Sequence, residues 1–162
     1  MGVAYFVVSE HPVDGFDPVE AVPDGKSVAR ATDRLDALAV AAGVRPLPEF
    51  LSMSPEEAAA FGGWVAPEDR EPGMAYPEFG EEEPPDPDQY PPEAWFEPAQ
   101  GLATVRALIA AVEADPAALD ATPRRQRFAA APADVLGDLR DIEAALARLE
   151  AAGVRWHLAV DI

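Results

Sequence analysis

The chain has 162 residues, no cysteine and a net charge of −18, from 12 Lys plus Arg against 30 Asp plus Glu. That length suits a single domain burying roughly two-thirds of its unfolded surface, and the lack of cysteine excludes disulfides and thiolate metal sites and fits a reducing, cytoplasmic setting. The charge argues against direct nucleic-acid binding, whose affinity comes from cations that neutralise phosphates, and favours a basic partner.

The opening MGVAYFVVSEHP has neither the basic n-region nor the long apolar stretch of a signal peptide. Position 6 is Phe where a myristoylation signal wants Ser or Thr. No run approaches the roughly 18 apolar residues of a membrane span. Within this opening, residues 3–8 (VAYFVV) are β-branched and aromatic and predict a strand buried on both faces. Turn formers follow at Asp14-Gly15 and Pro23-Asp24-Gly25. Ser27 is then placed to cap a helix whose stripe is Val28, Ala31, Leu35, Leu38 and Ala42, with Gly43 as its stop. Ser54-Pro55-Glu56-Glu57 has capping-box spacing with Pro at the first helical position and predicts a short helix ended by Gly62-Gly63.

Between Pro67 and Pro98 lie eleven acids and one base, Arg70, so these 32 residues hold −10 of the −18. Salt adaptation would spread the acids evenly, and they are not even. Beyond this stretch Leu102, Val105, Ile109 and Val112 keep helical spacing until Asp115-Pro116. A longer helix is predicted after Pro132 on Val135, Leu139, Ile142, Leu146 and Leu149, ending at Gly153. Residues 154–162 (VRWHLAVDI) alternate and predict a strand with one apolar face, His157 lying on the polar one. The expected fold is α+β, one domain over 1–162, with a small sheet of the two terminal strands, about four helices covering it, and a long acidic, proline-rich loop at 66–98.

Catalytic and metal motifs fail one by one. Asp24-Gly25-Lys26-Ser27 resembles the end of a phosphate-binding loop, but the glycine that pattern needs at position 20 is Glu20, which would repel the ligand. Carboxylate pairs such as Glu56-Glu57 or Asp138 with Asp141 lack any sequence sign of a desolvating pocket. His11 and His157 are the only histidines, too few for a zinc site without carboxylate help. None of the serines sits in a nucleophile elbow. No catalytic residue, metal ligand or cofactor is assigned.

Six of the chain's 13 aromatics, Trp64, Tyr76, Phe79, Tyr90, Trp95 and Phe96, lie between positions 64 and 96, in or just before the acidic stretch. A plain tether has nothing to bury rings against, so they predict a loop pinned by some of them, with Glu81, Glu82, Glu83, Asp86, Asp88 and Tyr90 as the partner contact. Arg124, Arg125 and Arg127 form the one basic cluster and are candidates to receive this loop, although surface ion pairs worth about 0–1 kcal/mol each would not silence eleven acids.

The segments YFVV, GFD, GKSVARATDRLDALAVAAGVRPLPEFLSMSPEE, WFEPAQGLATVRAL and GVRWHLAVDI together resemble a group of small, acidic bacterial proteins with no established activity. The resemblance implies no site residue or cofactor, and the stretch from Trp64 to Tyr90 is longer and richer in proline than it leads one to expect. Two functional classes follow. The first is a non-enzymatic binding protein for a basic protein, of immunity, inhibitor or adaptor type, and it is favoured because opposite fields speed association and reject acidic bystanders. The alternative is an enzyme or small-molecule binder with a pocket between sheet and helices lined by Arg30, Glu49, Arg106, Trp156 and His157.

Overall fold

A strand leaves a row of backbone N–H and C=O groups to be paired, and the two strand-like runs at opposite ends of the chain pair with each other. In the computed structural model, which describes residues 3–54, 92–120 and 129–161, β1 (Ala4–Ser9) and β2 (Trp156–Asp161) form a two-stranded antiparallel sheet. Tyr5 stands opposite Val160, Val7 opposite Leu158 and Ser9 opposite Trp156. Beyond the last pair, Glu10 N–H donates to the Arg155 carbonyl at 2.9 Å. The Arg155 guanidinium grips the Glu10 carboxylate through both Nε and Nη2. This two-pronged bond holds the Glu10 carboxyl below its ordinary range.

Between the strands come α1 (Lys26–Ala42), a 3₁₀ turn at Leu47–Phe50, α2 (Pro98–Ala114), a second 3₁₀ turn at Pro116–Leu119, and α3 (Pro132–Ala152). The described residues thus hold three α-helices; the fourth, expected after Ser54-Pro55, lies outside them. The chain divides into two compact units, residues 1–51 with 95–162 and residues 52–94. The first holds the sheet and all three helices, and the second takes in most of the acidic stretch.

Most of the helical stripes read from the sequence lie in the core of the first unit, but Leu38 and Ile109 are only half-buried and Ala42 is exposed, Ala39 being buried on α1 in its place. Val28, Leu35, Val105, Val112, Leu139, Ile142, Leu146 and Leu158 are buried together. Truncating one such leucine to alanine costs about 2–5 kcal/mol. Gly43 and Gly153 adopt positive φ and close α1 and α3, and in each case the next amide reaches back to a carbonyl of the last turn. Helices α2 and α3 run antiparallel, bridged at the surface by Arg106 with Glu143 and by Arg140 with Glu113.

The start of α1 departs from the sequence reading. The helix begins before Ser27, and its N-cap is Gly25, at φ 58°, with no side chain to cap. The missing acceptor comes from α3, where the buried Asp138 places Oδ2 at 2.8 Å from Ser27 N and 3.1 Å from Val28 N. A carboxylate there satisfies two orphan donors and lies at the positive end of the helix dipole. Gly25 is fixed from the other side: its carbonyl accepts Tyr5 N–H at 3.0 Å, and an added Cβ would stand 1.8 Å from the Tyr5 carbonyl oxygen. One glycine and one aspartate therefore join α1 to β1 and to α3.

Burial pushes the Asp138 carboxyl above the ordinary aspartate range, Asp24 and Asp141 add to this, and the two N–H bonds oppose it. Because the folded value is raised, the stability this group contributes is fully present below the unfolded value and is lost as pH rises through the folded one. Asp138→Ala should lower stability by about 1–3 kcal/mol in urea unfolding, since it orphans two buried amides. Asp138→Asn, which keeps an acceptor oxygen, should lose less and flatten the pH dependence. Gly101→Ala should also destabilise despite alanine's better helix propensity, because the new Cβ would stand 2.3 Å from the Trp156 ring and 2.8 Å from Leu146.

Candidate partner-binding surface

Residues 52–94 leave the first unit after Leu51 and rejoin it at Trp95, and both attachment points are built on the edge of β2 that β1 does not occupy. Leu51 forms a parallel bridge to Leu158, and Phe96 an antiparallel bridge to Trp156. The second is a closed pair, with Phe96 N–H to Trp156 O at 2.8 Å and Trp156 N–H to Phe96 O at 3.0 Å. Positions two apart on one strand lie about 7 Å from each other, so entry and exit are neighbours.

Aromatic side chains hold these backbones in place. The Phe50 ring meets Phe96 edge-on at 5.2 Å and stacks on Trp156 at 5.1 Å. Such pairs are each worth about 0.5–1.5 kcal/mol beyond the area they bury. The Arg45 guanidinium covers the Phe50 and Phe96 rings at 5.3 and 5.4 Å, and its Nε stands 3.5 Å from Glu49 Oε2. Trp95 stacks nearly parallel on His157 at 4.4 Å.

The expectation of a polar face on β2 is corrected here. His157 is fully buried and Ala159 is buried as well, so the strand is covered on both sides. Alternation of side chains presumes that one face stays wet, and Trp95 covers His157.

Within the second unit the two ends are clasped. The buried Ser52 hydroxyl donates to the Pro92 carbonyl at 3.1 Å and accepts Ala94 N–H at 2.7 Å. This one side chain ties the outgoing strand of chain to the returning one.

Of the residues expected to touch a partner, Glu81, Glu82, Glu83, Asp86, Asp88 and Tyr90 lie outside the described residues, as do Arg124, Arg125 and Arg127. Trp95 and Phe96 do anchor the exit, as their sequence position implied. The residues proposed for a pocket have separate engagements. Arg30 is exposed on α1; Glu49 pairs with Arg45, Arg106 with Glu143. Trp156 is buried with its indole N–H 3.4 Å from the Glu97 carbonyl, and His157 faces the opposite side of the sheet beneath Trp95. Sequence reasoning missed Arg45, Phe50 and Ser52, which lie in short irregular chain where no periodicity marks them.

Among the described residues no group of three or more His, Asp or Glu could hold a metal ion, and no helix is long and apolar enough to cross a membrane. The chain matches no protein-family model, no curated protein and no solved structure.

Ser52→Ala should cost about 1 kcal/mol and act locally. By amide exchange, Ala94 N–H should lose protection while Phe96 N–H, which bonds to Trp156, keeps it. Trp95→Ala should cost more, about 1–3 kcal/mol, because it uncovers the buried face of His157.

Proposed function

We propose that this chain is a non-enzymatic, cytoplasmic binding protein whose acidic segment recognises a basic protein, in the manner of an immunity protein, inhibitor or adaptor. The carrying observation is the placement of charge: −10 of the net −18 falls between Pro67 and Pro98. The clasped ends and the aromatic mount support the same reading, since an attached contact surface whose ends are fixed loses less freedom on binding than a free tail. Among the described residues, five of the first unit's eight cations are paired with acids of that unit. Lys26 pairs with Asp24, Arg45 with Glu49, Arg106 with Glu143, Arg140 with Glu113 and Arg155 with Glu10. Each of these surface pairs contributes only about 0–1 kcal/mol to stability.

On this reading Glu81, Glu82, Glu83, Asp86 and Asp88 supply the steering field and Tyr90 an amphipathic contact at its edge. Charges within a Debye length of about 8 Å act together at physiological salt, and their effect falls mainly on the association rate. The function requires no cofactor and no phosphate recognition.

Capture from native cells at low and high salt, followed by association kinetics on the recovered partner, tests this. Replacing the five acids by Gln or Asn should lower the association rate about tenfold at physiological ionic strength and reduce its salt dependence, with little effect on folding. Equal rates and equal salt slopes for wild type and variant would move the interaction surface elsewhere.

A further inference from the structure

The joint between α1 and the 3₁₀ turn Leu47–Phe50 contains a carboxylate that no contact explains. Asp36 lies on the half-buried flank of α1, and its Oδ1 is shut off from solvent without accepting a hydrogen bond. Its charged surroundings are acidic, with Asp33 on its own helix and Glu49 from the turn. The cation nearest the turn's acid, Arg45, is committed to Glu49 and to the Phe50 and Phe96 rings. The hydroxyl one turn earlier is committed too, because Thr32 Oγ1 bonds to the Ala29 carbonyl at 2.9 Å and to Tyr5 Oη at 3.2 Å.

We propose that Asp36 is a proton-operated latch on this joint: the neutral carboxyl lets α1 and the turn close together, and the ionised form loosens them. A buried acceptor without a donor is costly, and far more costly when it shares a full negative charge facing two other carboxylates. Protonation from solvent removes the charge and the repulsion at once. Consistently, burial first, and then Asp33 and Glu49, push the Asp36 carboxyl above the ordinary aspartate range. A raised folded value means that the stability contributed is fully present below the unfolded value and is lost as pH rises through the folded one. Mild acid should therefore tighten the joint. The turn it closes runs directly into Leu51, the residue from which the second unit departs, so the latch acts on the mount of the acidic segment. The inference stands whether or not that segment binds a basic protein.

The test is thermal unfolding of the full chain at about pH 7.5 and about pH 4, close to the unfolded aspartate value, for wild type, Asp36→Asn and Asp120→Asn, the last removing one exposed charge elsewhere. Wild type and Asp120→Asn should gain about 2–4 °C more than Asp36→Asn on acidification, and Asp36→Asn should be at least as stable as wild type at the higher pH. In wild type, the Asp36 carboxyl carbon followed by NMR should titrate above the ordinary aspartate range. An Asp36→Asn chain whose pH response parallels wild type would reduce the effect to general charge repulsion and overturn the latch. So would a lower melting temperature for it at the higher pH, or an Asp36 titration at or below the ordinary range.

Discussion

The reach of Asp138 from α3 to the first amides of α1 is the contact on which the arrangement of the first unit most depends. It joins positions 111 residues apart and satisfies two buried donors that the α1 sequence leaves without a cap. Gly25, held between this cap and the Tyr5 backbone, then sets how closely α1 approaches β1. Once α1 is fixed at that end, Leu35 and Ala39 are buried and the Leu47–Phe50 turn follows on its far side. Most of the apolar burial would tolerate a sliding helix, because hydrophobic attraction is not directional. The carboxylate and the glycine do not tolerate it, since each demands a particular distance.

That fixed frame explains why β2 is suited to carry an insertion. One edge is occupied by β1, and the other receives Leu51 and Phe96 as isolated bridges. An exposed strand edge invites unwanted pairing, and covering it with Leu51 and Phe96, first-unit residues on either side of residues 52–94, answers that hazard while locating both attachment points. The rings of Phe50, Phe96 and Trp156 fill one side of the strand and Trp95 covers His157 on the other. Gly101 leaves the space that the Trp156 ring occupies.

Much of this was legible in the sequence, and the failures share a cause. Helical periodicity located the three described helices, glycine marked the ends of α1 and α3, and the two terminal runs had only each other to pair with. The reading failed where a distant residue decides a local question. Ser27 had the right chemistry for a cap, yet Asp138 fills that role from another helix. His157 sat at an alternating polar position, yet Trp95 covers it. Helix α2 starts at Pro98, before its first large apolar residue, because Pro is favoured at the first helical position and Gly101 packs through its lack of a side chain. At the candidate surface, charge and aromatic content were legible from composition, and so were the anchors Trp95 and Phe96. The clasp by Ser52 and the Arg45 cover were not, since single polar residues in irregular chain carry no pattern.

The proposed function implies a division of labour, in which the first unit is a scaffold and residues 52–94 do the recognising. Exchanging residues 52–94 for a Gly/Ser linker of about three residues, enough for the ~7 Å between neighbouring positions on the β2 edge, tests it directly. The measurement is the affinity of this shortened chain for the basic partner captured by the full one, with amide protection at Trp156 and Leu158 confirming that the sheet is intact. The account predicts a folded scaffold that no longer binds; a folded scaffold that binds with undiminished affinity would contradict it.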